Sequence, residues 1–166
     1  IDREHMDYYK SMDSLKNLFL KFIEKVPSFG KSFICADDKV NNEVIKKIKI
    51  KNFYTYGIND SSNFRVKNIK QVKEFSIFDL YIFLPAKKQT ILKNIRIPLL
   101  GLHNIRNASA AAAVAFTIGI STKVIKESLK NFQGVQRRFN KIFSYRGINF
   151  YDDYAHHPTE IKELLN

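Results

Sequence analysis

The chain holds one cysteine, Cys35, and no tryptophan among its 166 residues. A single cysteine excludes an internal disulfide framework and a cysteine-built zinc site. Cys35 lies in the apolar run Ser32 to Ala36, where a buried, inert thiol is expected. No apolar stretch is long enough to cross a bilayer and no signal peptide is present, so no membrane partner and a cytoplasmic location are expected. Basic clustering is lacking too. The net charge is +12, yet the lysines are scattered, and Lys46, Lys47, Lys49 and Lys51 make the densest run. A nucleic-acid-binding module needs a clustered basic face with stacking aromatics, whereas the aromatics here fall mostly on predicted core faces. No nucleic-acid partner is expected. A chain rich in Lys, Ile, Asn and Phe can owe that bias to the base composition of its genome.

A chain of 166 residues can form one ordinary domain and bury roughly 70% of its unfolded surface. Its ends point instead to a piece of a longer protein. Position 1 is Ile1, not methionine, and the helical pattern of Ile161 to Asn166 stops without a cap.

What is present alternates strand and helix. Ser11 to Val26 predicts an amphipathic helix with Leu15, Leu18, Phe19, Phe22, Ile23 and Val26 on one face. Ser11 serves as its N-cap, and Pro27 and Gly30 stop it. Ser32 to Ala36 reads as a buried strand and Asp37-Asp38 as a turn. Val40, Val44, Ile45 and Ile48 mark a second helix, and Phe53 to Tyr56 a second strand closed by Gly57. Strand, helix, strand is the pattern of a parallel α/β sheet. After the turn cluster Asn59 to Asn63, the pattern changes to strands without helices: Phe64 to Ile69, Phe75 to Leu84 and Thr90 to Leu99. In the last, Ile91, Ile95, Ile97 and Leu99 are expected on one face, interrupted by Lys93. These predict a small antiparallel sheet attached to the α/β core, with a structural rather than chemical role. The alanine-rich run from Ala108 predicts a helix able to approach a sheet closely. Gly119-Ile120-Ser121 ends it, and Ser121 caps a helix over Thr122 to Asn131, with Val124, Ile125, Ser128 and Leu129 inward.

Four stretches carry possible chemistry. The first, Ile1-Asp2-Arg3-Glu4-His5-Met6-Asp7, contains a histidine that by itself reads as an ordinary surface residue. In Gly101-Leu102-His103-Asn104-Ile105-Arg106-Asn107-Ala108, His103 and Asn107 are i and i+4 and project from one helix face. They serve either as helix-start caps or as a purine site, because an imidazole stacks on a purine and an amide pairs with adenine. Asn104 is the better capping candidate. Phe132-Gln133-Gly134-Val135-Gln136-Arg137-Arg138-Phe139 offers paired arginines, either a solvated linker or a fork suited to phosphate. Tyr151-Asp152-Asp153-Tyr154-Ala155-His156-His157-Pro158-Thr159-Glu160 crowds acids, tyrosines and imidazoles beyond a strand, Gly147 to Tyr151. A helix follows it, with Pro158 and Glu160 in the first turn.

These stretches resemble, in order, four motifs of the ATP-dependent Mur ligases of peptidoglycan synthesis. They are Asn-Ile-x-x-Asp-His-x-Asp, Gly-x-His-Asn-x-x-Asn-Ala, Phe-x-Gly-Val-x-Arg-Arg-Phe and Asp-Asp-Tyr-Ala-His-His-Pro-Thr-Glu. One departure is Glu4, where the family has Asp. The resemblance implies an α/β fold. Residues 1–133 would be the C-terminal part of a central P-loop-type ATPase domain with an attached small antiparallel sheet. Residues 134–166 would be the truncated start of a Rossmann-like C-terminal ligase domain. The family's Gly-x-x-Gly-Lys-[Ser/Thr] phosphate loop, its UDP-binding domain and most of its amino-acid-binding domain are missing from the sequence.

The resemblance also implies ATP and Mg2+ as cofactors, and UDP-N-acetylmuramate and L-alanine as the molecules joined through an acyl phosphate. His5 would ligate the magnesium ion, His103 and Asn107 would line the adenine pocket, and Asp153 would accept from the ribose hydroxyls. Arg138 would meet the transferring phosphate, both binding and catalytic. Tyr154 and His156 would lie toward the muramoyl carboxylate and incoming alanine, with His156 catalytic as a positioning and electrostatic residue. His157 and Asp152 carry weaker assignments. A sibling branch adds a recycled tripeptide instead, and carries Phe, Ala and Leu where this chain has Tyr154, Glu160 and Phe139. Those three residues favour the alanine-adding branch.

Overall fold

The computed structural model describes residues 1–49, 52–86 and 88–165. Lys51 of the lysine run and Asn166 of the last helical pattern lie outside the described residues.

Five strands make one mixed sheet in sequence order: β1 (Ser32–Cys35), β2 (Phe53–Gly57), β3 (Phe64–Val72), β4 (Phe75–Ile82) and β5 (Thr90–Ile97). β1 and β2 are parallel, joined through α3 (Lys39–Lys47), as the strand–helix–strand pattern predicts. The antiparallel strands are there as well, and they continue the same sheet. β3 joins β2 in parallel over the pairs Tyr56↔Phe64 and Gly57↔Arg65. Parallel neighbours ordinarily need a long crossover, but so short an overlap lets the loop from Ile58 to Asn63 suffice.

One carboxylate sets the geometry of the antiparallel part. Asp79, 8% exposed in the middle of β4, accepts from Asn68 Nδ2 at 2.8 Å and from the main-chain N–H of Asn94 at 2.7 Å. Both asparagines have positive φ, 54° and 53°, at the irregularities where β3 and β5 slip register against β4. A bulge adds a residue to one strand and so reverses which side chains face inward. This corrects the face expected for β5. Leu92, Ile95 and Ile97 are buried, whereas Ile91 is 38% exposed. Asp79→Ala is expected to lower the unfolding free energy by about 2 kcal/mol, since two bulge anchors lose a buried acceptor. Urea denaturation of the whole protein measures it. An unchanged midpoint would show that the bulges hold without the carboxylate.

α4 (Leu102–Thr117) lies across the sheet. It buries Ile105, Ala108, Ser109, Ala112 and Ala113, a stripe of mostly small side chains that brings the helix close to the strands. Phe64, Val66, Phe78, Leu80, Ile82, Leu92, Ile95 and Ile97 meet it from the sheet to form the core. α5 (Thr122–Lys130), capped by Ser121, adds Ile125 from the side of β5. Val124, expected inward, is 49% exposed, because the stripe facing β5 is the Ile125–Leu129 pair. α2 (Met12–Glu24) begins at the expected Ser11 cap and packs on α3, which is capped by Asp38. Of the apolar face predicted for α2 only Leu15 is buried, while Leu18, Phe19 and Phe22 are exposed. A four-residue helix, α1 (Met6–Tyr9), precedes it.

The last part holds β6 (Asn140–Tyr145), β7 (Ile148–Asp152) and α6 (Pro158–Leu165). The two strands pair with each other, antiparallel, across Arg146 and Gly147, whose φ values of 48° and 79° suit a tight two-residue hairpin. Pro158 opens α6 and Glu160 sits in its first turn, as expected. None of the helices among the described residues is long and apolar enough to cross a membrane.

Candidate active site

The loop after β7 and the start of α6 gather most of the candidate residues, and Glu160 is their meeting point. Its carboxylate accepts from the main-chain N–H groups of His156 at 3.2 Å and His157 at 3.4 Å. An acid in a helix's first turn that reaches back to the preceding amides is one half of a capping box. Those two amides hold its carboxyl below the ordinary value, with the nearby His156 and Arg138 acting in the same direction. Arg138 Nη1 stands 3.7 Å from one carboxylate oxygen and His156 Nδ1 3.7 Å from the other. His156 Nδ1 also lies 2.9 Å from the Tyr154 carbonyl. A carbonyl only accepts, so Nδ1 carries the hydrogen in this contact. The Tyr154 ring meets the His156 ring edge to face, with centroids 5.0 Å apart.

The paired arginines are not equivalent. Arg137 lies over the Tyr154 ring at 4.6 Å, and its Nε stands 3.6 Å from Asp152. Arg138 has its side chain 56% exposed and, among the described residues, Glu160 as its ion-pair partner. Arg137 is committed and Arg138 is available. Both carboxylate oxygens of Asp153 are occupied by main chain, from Phe139 N–H and Ala155 N–H at 2.7 Å each. In this arrangement Asp153 ties the arginine segment to the loop after β7. The remaining lone pairs are what a ribose hydroxyl would have to use.

The other motifs converge on the same helix. Thr159 Oγ1 donates to the Asp2 carboxylate. His157 Nδ1 accepts from Thr159 N–H at 3.4 Å, so its Nε2–H is the donor to the Arg3 carbonyl at 3.3 Å. Asp2 has its carboxyl held below the ordinary value, first by Thr159 and then by the Arg3 amide. At the start of α4, His103 Nδ1 stands 4.0 Å from Glu163 of α6. Asn107 is exposed one turn further along the same helix face. Asn104 does not cap α4 in the expected way. The N-cap position is Gly101, and Asn104 Nδ2 donates to the Leu100 carbonyl at 2.7 Å.

His5 opens α1 in the left-handed region, φ 54°, with its carbonyl accepting from Tyr8 and Tyr9. Among the described residues no three His, Cys, Asp or Glu side chains come together as a metal site. Magnesium takes a shell of oxygens and water, and one imidazole does not make such a shell. The residues of this chain therefore do not fit the ion by themselves.

The sequence reading missed the roles of Glu160 and Glu163 and the ion pair beneath α4. Arg106 Nε donates to Asp37 at 2.8 Å, and Asp37 also accepts from the amides of Ile58 and Asn59. This knot sits just past the carboxyl ends of β1 and β2, where ligands bind in open α/β sheets. The Glu160 cap had a signal, an acid three residues after the residue preceding Pro158. The Asp37–Arg106 pair had none, since its members are 69 positions apart. Beside them, burial pushes the Cys35 thiol up, in keeping with the inert role expected of it.

The same fold recurs in known proteins. The chain is 66% identical, over its whole length, to the UDP-N-acetylmuramate–L-alanine ligase of Pelagibacter ubique, of which it covers 36%. The fold superposes on MurF of Acinetobacter baumannii with a TM-score of 0.79 at 23% identity, covering 98% of this chain and 34% of that one. For the UDP-N-acetylmuramate-alanine ligase MurC of Thermotoga maritima the TM-score is 0.72 at 23% identity, over 98% of this chain and 35% of that one. At such identities the two structures bear on the fold alone. The chain thus spans about a third of the length of the relatives it matches. A match to the Mur ligase middle domain runs over residues 1–115, well beyond half of the chain, and with it the chain belongs to the Mur ligase family.

Proposed function

We propose that the whole protein joins L-alanine to the carboxylate of UDP-N-acetylmuramate, using ATP, in peptidoglycan synthesis. The γ-phosphoryl group passes to the carboxylate and ADP leaves. The alanine amine then attacks the acyl carbon, and the tetrahedral intermediate expels inorganic phosphate. What supports this reading is the convergence on α6 of residues from all four motifs: Asp2 and Arg3, His103, Arg138, and the Tyr154–Glu160 loop. The name carried by the Pelagibacter relative agrees with it.

Two anions must meet for the first step, and a guanidinium offsets their repulsion. Arg138 takes that part, leaving Glu160 for the phosphate. His103 and Asn107 hold the purine, Asp153 meets the ribose, and Tyr154 and His156 face the muramoyl carboxylate and the amine. His156 orients and stabilises charge. His5 would add one ligand to a magnesium ion, whose oxygen ligands would have to come from elsewhere in the whole protein. The boundary between the ATP-binding part and the C-terminal ligase part falls near Gly134, and the reaction takes place in the cytoplasm. The stretch of residues 1–166 alone, without a phosphate loop, is expected to show no turnover.

ADP release by the whole protein with ATP, Mg2+ and UDP-N-acetylmuramate tests the reading. Release that depends on L-alanine is expected. Release only with tripeptide would move the protein to the recycling branch, and release with neither would overturn the ligase reading.

A further inference from the structure

We infer that Gly101 is a positioning residue for the nucleotide, acting by leaving open the space in which the His103 ring lies. The inference rests on the reading of His103 as the purine-facing residue. Gly101 precedes α4 at φ +89°, a backbone state that other residues rarely adopt. More telling is what occupies the position its side chain would take. A Cβ built on Gly101 would lie 2.6 Å from His103 Cε1, 2.9 Å from Nδ1 and 3.5 Å from Nε2. An imidazole is rigid, so it can relieve such a clash only by turning the whole ring.

Hydrogen bonding does not hold that ring in place. Among the described residues His103 Nδ1 is shielded from solvent without a partner, and Glu163 at 4.0 Å is beyond hydrogen-bonding range. Packing against the bare backbone of residue 101 therefore sets the plane of the ring. A stacked base depends on that plane, because stacking weakens once the rings tilt or separate. Gly119 supplies a matched control. It stands at φ +90°, and among the described residues nothing lies within 4 Å of a Cβ built on it. Alanine at either position strains the backbone, but only Gly101→Ala displaces a ring.

The test uses the whole protein with Gly101→Ala, Gly119→Ala, His103→Ala and the Gly101→Ala/His103→Ala double variant. Michaelis constants for ATP and for L-alanine are measured, with thermal melting alongside. Gly101→Ala is expected to raise the KM for ATP about tenfold, the scale of one lost base stack. The KM for L-alanine stays unchanged, and Gly119→Ala moves neither. On the His103→Ala background the Gly101 change adds nothing further, as for two residues acting through one contact. An additive loss, or an equal loss in Gly119→Ala, would overturn the inference. Should His103→Ala alone leave the KM for ATP unchanged, the purine-site reading fails first and the inference falls with it. Should Gly101→Ala not fold, recovery of folding in the double variant supports the ring clash. Misfolding of both would assign the glycine to backbone shape alone and overturn the inference.

Discussion

Replacing Arg138 by alanine is expected to lower kcat of the whole protein by about 10²–10³-fold, the usual cost of removing one preorganised charge from a transition state. The KM for ATP should move much less, because the residues proposed to hold the purine, at the start of α4, are untouched. Arg138 has a planar fork of donors, an exposed side chain and a loose 3.7 Å approach to Glu160, so it can exchange that carboxylate for a phosphate. Lysine supplies the charge without the fork and is expected to recover only part of the rate. Arg137→Ala serves as the contrast. That guanidinium already lies on the Tyr154 ring and beside Asp152, so its loss should loosen the loop and lower kcat far less. Steady-state ADP release for the three variants gives the ordering. A kcat for Arg138→Ala within threefold of the parent would remove this arginine from the chemistry.

Asp37→Ala is expected to cost about 3 kcal/mol of stability, because it strips the partner from a largely buried cation and leaves two amides unpaired. The Asp37 side chain is 10% exposed and accepts from Ile58, Asn59 and Arg106. Gly57 makes this possible. A Cβ there would come within 2.5 Å of the Asp37 carboxylate. Burial alone would push the Asp37 carboxyl up, but the Ile58 amide, the Arg106 guanidinium and the Asn59 amide together outweigh it and hold the group below its ordinary value. A carboxyl depressed in the folded state contributes its stability above the unfolded value, about pH 4, and loses it as the pH falls through the folded value. Asp37→Asn keeps the shape and removes the charge. Its melting temperature should therefore lie below the parent's at pH 7, with the gap closing below about pH 4. A gap that stays constant down to pH 2 would mean that the charge contributes nothing. ATP binding should weaken in step with stability, since Arg106 shares α4 with His103 and Asn107.

Much of this molecule is legible in the chain itself. Periodicity and caps near in sequence located α2, α3, α5 and the strands, because an N-cap such as Ser11 or Ser121 acts within three residues of its own position. Motif spelling points to the family and to the candidate residues. Tertiary structure alone decided which apolar faces are covered. α2 fulfils its helical pattern yet leaves Phe22 71% exposed, because amphipathicity states what a helix can bury, not what packs on it. The face of β5 was decided by bulges that Asp79 pins from a neighbouring strand, and a period-two pattern cannot register an inserted residue. So too with the pairs that shape the candidate site. Glu163 meets His103, and Asp37 meets Arg106, across separations that no local rule spans. Hydrogen bonds and ion pairs act over a few ångströms of space, so the sequence determined which groups were available and folding alone decided which of them meet.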